Sequence, residues 1–110
     1  MAQSVARGAG SGDTVASPDG SGVCCAFPST QYTDACSTNV FVGGWGVVRF
    51  GDAMITHDYD GPCCDPHTPI MDTGCSPTVF VNTFKMAAVT SQYGGDHPIS
   101  SGSATVSVGL

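Results

Sequence analysis

Glutamate is absent from this chain of 110 residues, and the only basic residues are Arg7, Arg49 and Lys85. Without glutamate the sequence cannot contain the H-E-x-x-H motif of zinc proteases or the H-x-E motif of zinc deaminases. The net charge of −6 argues against binding to nucleic acid and against electrostatic attraction to anionic membranes. Any contact with a membrane is therefore expected to be mechanical or neutral, not electrostatic.

Long apolar runs are also missing. No stretch resembles a transmembrane span, and the N-terminal sequence MAQSVARGAGSG lacks the apolar core of a secretory signal. We therefore expect the protein to be made, and at first kept, in a reducing cytoplasm. No helical periodicity is visible, and 15 glycines and 7 prolines favour short strands between turns. These features predict one small all-β domain whose modest core needs a staple.

The chain contains the same unit twice. Residues Gly12–Phe50 align with Gly51–Val89 without a gap, at an offset of 39 residues and with 11 identities that include three pairs of cysteines. A partial third copy follows, in which Gly102–Val108 echoes Cys75–Val81. Repeated units of this kind must stack, because one copy cannot bury its apolar face alone.

The repeats define the predicted domain organisation. A single domain is expected over residues 12–110, with repeats at 12–50 and 51–89 and a partial repeat at 90–110. Residues 1–11 are expected to form a flexible N-terminal arm. β-Branched and aromatic residues predict strands at Asn39–Val42, Trp45–Phe50, Thr78–Val81, Phe84–Val89 and Ala104–Val108.

Two predicted hairpins are connected by long loops. Gly43-Gly44 and Asn82-Thr83 separate pairs of predicted strands by two residues, which is hairpin spacing. Loops at roughly Thr14–Ala35 and Ala53–Gly74 are rich in glycine, proline, cysteine and histidine. Loops of this length need something to fix them in a compact domain.

The histidines and cysteines in these segments suggest a metal site. His57, His67 and His97 are the only histidines, and the first unit has prolines where His57 and His67 stand. Cys64 and His67 form a C-x-x-H pair, with Cys63 one residue further away. Three imidazoles and one thiolate complete a tetrahedral set that suits zinc, and also iron, and leaves no position for substrate. We therefore predict a single structural site, which breaks the symmetry of the repeats.

Two other interpretations of the cysteines stay open. Six cysteines in a small, loop-rich chain are also typical of a secreted binding module stapled by disulfides. Cys64 with His67 can also be drawn as the nucleophile and base of a small thiol or metal enzyme. Cys36 and Cys75 directly precede predicted strands and are expected to pack as small buried hydrophobic residues. The sequence does not decide the roles of Cys24 and Cys25.

Cys36–Asp52 is the best copy of the pattern G-S-x-x-V-F-V-x-G-x-x-x-x-R-x-G-D, with cysteine in place of the first glycine, and His97–Ser103 reads H-x-I-x-x-G-S. These motifs resemble those of PAAR-repeat proteins. The resemblance covers roughly residues 12–109. The Pro-Ala-Ala-Arg sequence of the family is degenerate here, reading Gly46-Val47-Val48-Arg49 in the first unit and Lys85-Met86-Ala87-Ala88 in the second. The second unit also ends in Thr90-Ser91 instead of Gly-Asp.

This resemblance implies a fold and a function. The fold is a small cone of β-hairpin repeats with pseudo-threefold symmetry, and its apex holds zinc or iron on histidines, often with a cysteine. Carried over to this sequence, the ligands are His57, His67 and His97, with Cys64 as the fourth and Cys63 as its substitute.

The function implied is that of a non-enzymatic, membrane-piercing tip, present as one copy on a trimeric β-helical spike. A phage tail baseplate is the expected setting, with assembly in the host cytoplasm, and a type VI-like secretion system is the alternative. Contact with the target cell envelope is then mechanical. The bound ion is expected to be zinc rather than iron.

Overall fold

The computed structural model describes residues 2–19, 30–59 and 65–110, and it confirms an all-β fold. Within these residues there is no helix, and hence none long and apolar enough to span a membrane. All strands are short, and every pair is antiparallel. They are β1 (Ala2–Ser4), β2 (Thr14–Ala16), β3 (Thr30–Tyr32), β4 (Phe41–Val42), β5 (Trp45–Gly46), β6 (His57–Tyr59), β7 (Asp65–His67), β8 (Met71–Thr73), β9 (Phe80–Val81), β10 (Phe84–Lys85), β11 (Gln92–Tyr93), β12 (His97–Pro98) and β13 (Ser107–Gly109).

Both predicted hairpins form at the predicted turns. Strands β4 and β5 pair across Gly43-Gly44, and β9 and β10 pair across Asn82-Thr83. The second strands of these hairpins, β5 and β10, are shorter than predicted. After each of them the chain separates from the first strand of its own hairpin. It then pairs with the neighbouring unit through single bridges, which join Arg7 to Val47, Arg49 to Met86, and Val5 to Ala88.

The third hairpin is built from the two ends of the chain. Strand β1 pairs with β13, so that Ala2 lies opposite Gly109 and Ser4 lies opposite Ser107. The expectation of a flexible arm at residues 1–11 is therefore wrong, and Val5 and Ala6 are fully buried. The physical reason is that the third repeat contributes one strand, β13, to this hairpin. The N-terminal residues supply the second strand and close the ring of three hairpins.

A closed ring of backbone hydrogen bonds marks the centre of this arrangement. The Ala6 N–H donates to the Ala87 carbonyl at 3.1 Å, Ala87 donates to Val48 at 3.0 Å, and Val48 donates back to Ala6 at 3.0 Å. All three residues are fully buried. Each belongs to a different unit, so the three hydrogen bonds are related by the pseudo-threefold axis. It also satisfies three pairs of backbone groups that burial would otherwise leave unpaired.

The same three-fold relation fixes the start of each hairpin. Three buried serines accept hydrogen bonds from backbone N–H groups two and three residues later, a turn that hydroxyl side chains stabilise locally. They are Ser37, Ser76 and Ser103. Because these serines stand at matching positions of all three copies, they explain why the Ser-x-x-Val motif recurs.

Arginine–aspartate pairs brace two of the three units. The Arg7 guanidinium forms two hydrogen bonds with Asp13, both 3.0 Å long, and Arg49 forms the same pair of bonds with Asp52. At the end of the second repeat the Ala88 N–H donates to the Ser91 hydroxyl at 3.0 Å, at the position where the other two units use aspartate. Thr90-Ser91 therefore preserves the backbone contact of the missing Gly-Asp while losing its charge.

The interior consists of two apolar clusters along the axis. One cluster includes residues of the hairpin strands, and it contains Val5, Val47, Val81, Ala88 and Val108. The other lies on the side of the histidine-bearing strands, and it contains Ala6, Val15, Val48, Met54, Met71, Ala87, Tyr93 and Ile99. In the described part of the chain, no strand that carries a histidine contacts any of the three hairpins. The histidine-bearing strands are therefore separate from the three hairpins, in a protein that measures 40 × 24 × 21 Å.

Positive backbone angles in the second unit predict two stabilising substitutions. Thr83 has φ of 71° and Thr90 has φ of 82°, and the equivalent positions 39 residues earlier hold Gly44 and Gly51. A β-branched residue pays a steric cost in this left-handed region. We expect Thr83→Gly and Thr90→Gly each to raise the free energy of unfolding by about 0.5–1 kcal/mol, net of the entropy of glycine. Thermal unfolding checks this, with Thr78→Gly as the control that should lose stability.

The Tyr93 hydroxyl predicts a third stabilising change. Tyr93 is fully buried, and its hydroxyl has no hydrogen-bond partner among the residues described. Burial, with the nearby Asp52 carboxylate, raises the pKa of this phenol. We expect Tyr93→Phe to increase the free energy of unfolding by about 1 kcal/mol. The hydroxyl loses its hydrogen bonds with water on folding and gains none in return, and phenylalanine avoids this loss. Tyr32→Phe, at an exposed site, should change nothing, and a loss of stability in Tyr93→Phe would show that the hydroxyl has a partner.

Candidate metal centre

Three histidines from two hairpins converge with one aspartate. His57 on β6 lies directly opposite His67 on β7, so that both rings project from the same face. His97 begins β12, which packs against β2, and Asp19 follows β2 in the chain. The structure thus brings together all three histidines singled out from the sequence.

The donor atoms of these side chains form a compact group. The Asp19 Oδ2 atom lies 2.8 Å from the Nε2 atoms of His57 and His67. It lies 2.7 Å from the Nε2 atom of His97. The His57 Nε2 atom lies 2.9 Å from that of His67 and 3.2 Å from that of His97. These five distances average about 2.9 Å, and a regular tetrahedron with edges of that length has its centre about 1.8 Å from each corner. This is slightly less than the bond lengths of about 2.0–2.1 Å that zinc makes to nitrogen and oxygen.

Hydrogen bonds at Nδ1 fix the tautomer of two of the rings, and the tautomer decides whether Nε2 has a free lone pair. The His57 Nδ1 atom lies 3.1 Å from the Ile55 carbonyl, which can only accept, so Nδ1 carries the proton. The His97 Nδ1 atom lies 2.5 Å from an Asp96 carboxylate oxygen and donates in the same way. The neutral form of each ring therefore turns an Nε2 lone pair toward Asp19.

These lone pairs require positive charge between them. Unprotonated Nε2 atoms and a carboxylate oxygen repel one another at hydrogen-bond distance unless the rings are protonated or a cation lies among them. Burial acts to raise the pKa of Asp19, but hydrogen bonds with the rings of His57, His97 and His67 outweigh it and bring the pKa to about 2. A divalent cation supplies the same positive charge without protons. The cluster can therefore hold a metal ion.

The site is mostly shielded from water. His97 is 1% exposed and His57 9%, while the side chains of Asp19 and His67 are 15% and 28% exposed. Exclusion of water strengthens the attraction between an ion and its ligands. On the side of His67 and His97, a cavity of about 270 Å³ adjoins the cluster, and Asp96 lies at its lining.

A fourth donor that the sequence did not indicate lies beside the three histidines. The proposed ligand Cys64 and its substitute Cys63 lie outside the described residues, as do Cys24 and Cys25. The described residue beside the three histidines is Asp19, which the sequence reasoning missed. The one sequence feature that sets Asp19 apart is its alignment with Asp58 in the second repeat. Because the chain contains nine aspartates, this alignment alone does not indicate a ligand.

Cys36 and Cys75 are free thiols that help to fill the core. Each is half-buried and packs against the cluster that contains Met54 and Met71, which confirms the packing role predicted for them. Burial raises the pKa of the Cys75 thiol to about 11, against a smaller opposing effect of Lys85. A thiol with this pKa is protonated at neutral pH, so Cys75 is a poor nucleophile.

No protein-family model and no curated protein matches this chain.

Proposed function

We propose that this chain is a non-enzymatic structural tip that caps a trimeric β-helical spike of a contractile injection machine. The setting is a phage tail baseplate or a type VI-like secretion system, in which the tip is the part that meets the target cell envelope. The supporting observation is a closed ring of three hairpins together with one His₃Asp cluster, whose histidines lie on strands that do not contact those hairpins.

The cluster suits a structural role. A narrow end has little interior volume, so hydrophobic packing cannot order its loops. One ion bound by His57, His67, His97 and Asp19 ties together segments that are far apart in sequence, and its binding energy adds to folding energy. The proposed ion is zinc, because three imidazoles and one carboxylate in a compact tetrahedral set match its preferred coordination. Iron sites more often keep open positions.

The hairpin end suits a threefold partner. Matching positions of the repeats expose apolar side chains there, with Val79 37% and Val106 41% exposed, and Phe41 and Phe80 58% and 53% exposed. Exposed apolar surface that recurs around a pseudo-threefold axis is complementary to the end of a symmetric trimer. One copy of this chain then covers three spike subunits.

The rival of a secreted module stapled by six disulfide-bonded cysteines loses support. Cys36 and Cys75 are unpaired, so at most the cysteines outside the described residues remain for bridges. A thiol count on unreduced protein tests this point, and we expect at least two free thiols per chain.

Binding to a spike is the test of the proposed role. The chain should be co-expressed with the trimeric β-helical spikes of the contractile machines of its source, and the complexes examined by native mass spectrometry. We expect one copy per trimer. Phe80→Asp should weaken the complex at least 10-fold, because it buries a charge in an apolar contact. The control Tyr32→Asp, on the half of the protein that carries the histidines, should bind normally; binding to none of these spikes would refute the role.

A further inference from the structure

Asp96 contacts the most deeply buried ligand of the cluster from outside. Its Oδ1 atom lies 2.5 Å from the Nδ1 atom of His97, on the side of the ring opposite Asp19. His97 is 1% exposed, whereas the Asp96 side chain is 62% exposed. The carboxylate therefore keeps access to water, while the imidazole that it contacts does not.

The backbone holds Asp96 in this place. Gly94 and Gly95 form the turn between β11 and β12 with φ of 61° and 76°, and the Asp96 N–H donates to the Tyr93 carbonyl at 3.3 Å. Tyr93 is fully buried and lies opposite His97 in the strand pair. The turn is thus anchored at its base in the core, and a short side chain on it has little freedom to leave the imidazole.

We propose that Asp96 is a positioning residue for the metal centre, which fixes the tautomer and the ring orientation of His97. The inference rests on the proposed metal binding and adds to it a residue that is not a ligand. A proton held on Nδ1 leaves the Nε2 lone pair free for an ion, and the negative charge of Asp96 makes that nitrogen a stronger donor. For His57, the Ile55 carbonyl likewise holds the proton on Nδ1, but it carries no negative charge that would make Nε2 a stronger donor.

The structure offers a matched control. Asp72 is also an exposed aspartate, and its Oδ1 atom accepts a hydrogen bond from the Thr73 hydroxyl at 2.8 Å. It is not part of the cluster of possible ligands. Loss of its carboxylate changes the net charge as much as loss of Asp96 does. Any difference between the two variants therefore reports on the contact with His97 rather than on general attraction of cations.

The experiment measures metal affinity and the spectrum of the bound metal. Protein stripped by a chelator is titrated with Co²⁺ and then with Zn²⁺ in competition, for wild type, Asp96→Ala, Asp96→Asn, Asp96→Glu and Asp72→Ala. We expect Asp96→Ala to weaken binding about 10–100-fold and to alter the visible Co²⁺ bands. Asp96→Asn should be intermediate because it retains an acceptor oxygen. Asp96→Glu should recover most of the loss, and Asp72→Ala should match wild type.

The outcomes separate this inference from the proposed metal site itself. If wild type binds neither ion, the metal site is wrong. If wild type binds both ions and Asp96→Ala binds them equally well with an unchanged Co²⁺ spectrum, the positioning role is wrong and the site stands. Circular dichroism of the stripped proteins identifies a variant that fails to fold, and in that case Asp96→Asn decides: affinity equal to wild type overturns the role, and weaker binding supports it.

Discussion

Deletion of residues 1–7 is expected to abolish cooperative folding. The deletion removes β1, the buried residues Val5 and Ala6, and two of the three hydrogen bonds in the central backbone ring. It also removes the partner of Asp13, leaving a carboxylate that is only 3% exposed without its guanidinium. Burial of one valine contributes about 1.5–3 kcal/mol, and an unpaired buried charge costs more still. The total reaches the whole stability of a small domain, about 5–15 kcal/mol.

Circular permutation is the control for this deletion. Ala2 and Gly109 face each other across a strand pair, so a linker of a few glycines joins the two ends without strain. New ends are placed between Gly43 and Gly44, in the equivalent turn of the first hairpin. We expect the permutant to unfold cooperatively, with a melting temperature near that of wild type. Cooperative unfolding of the truncated chain at the wild-type temperature would show that the N-terminal strand is dispensable.

Loss of the metal ion is expected to have the second large effect. A ligand present at 100 times its dissociation constant stabilises a fold by about 2.7 kcal/mol. For a domain of this size, we expect removal of the ion with a chelator to lower the melting temperature by about 10 °C or more. His97→Ala removes the most buried of the proposed ligands. The melting temperature of His97→Ala should therefore be lower than that of wild type before any chelator is added, and the chelator should not lower it further.

Two aspartates provide a control for this effect. Asp19 and Asp58 occupy the same position in the two repeats, but only Asp19 belongs to the cluster. Asp19→Asn should reduce both metal affinity and the response to chelator, because it removes the charge of the fourth donor. Asp58→Asn should leave both unchanged. Equal behaviour of the two variants would exclude Asp19 as a ligand.

The parts of the fold that were predictable from sequence depend on local chemistry. Two-residue turns, Gly43-Gly44 and Asn82-Thr83, together with β-branched and aromatic runs specify the hairpins β4–β5 and β9–β10, because turn geometry and strand preference act over a few residues. The third hairpin was missed because its two strands lie at opposite ends of the chain. Only the closure of the ring brings β1 to β13, and no local pattern carries that information.

The strands near the cluster were missed for a related reason. The segments Thr14–Ala35 and Ala53–Gly74 were interpreted as loops, yet they contain β2, β3, β6, β7 and β8. Their residues include proline, aspartate and histidine, which have low strand preference. These strands form because distant segments pair with them, as in the bridge between Val15 and Ile99. Tertiary pairing thus overrides local preference there.

The site was predictable in part. The three histidines could be found because the residue type is rare in this chain and because two of them replace prolines of the first repeat. Asp19 could not be found, because aspartate is common here and its proximity to His97 depends on the contact between β2 and β12. Asp96 precedes His97 directly, but only the turn at Gly94-Gly95 directs its carboxylate to the ring.

The metal content of native protein tests the central claim most directly. Wild type and His97→Ala should be purified without chelators and without added metal, and their metal content measured by elemental analysis. We predict one zinc ion per chain in wild type and less than about a tenth of that in His97→Ala, since loss of one of four ligands removes most of the affinity. A wild-type protein without metal, or a His97→Ala variant with full occupancy, would contradict the account.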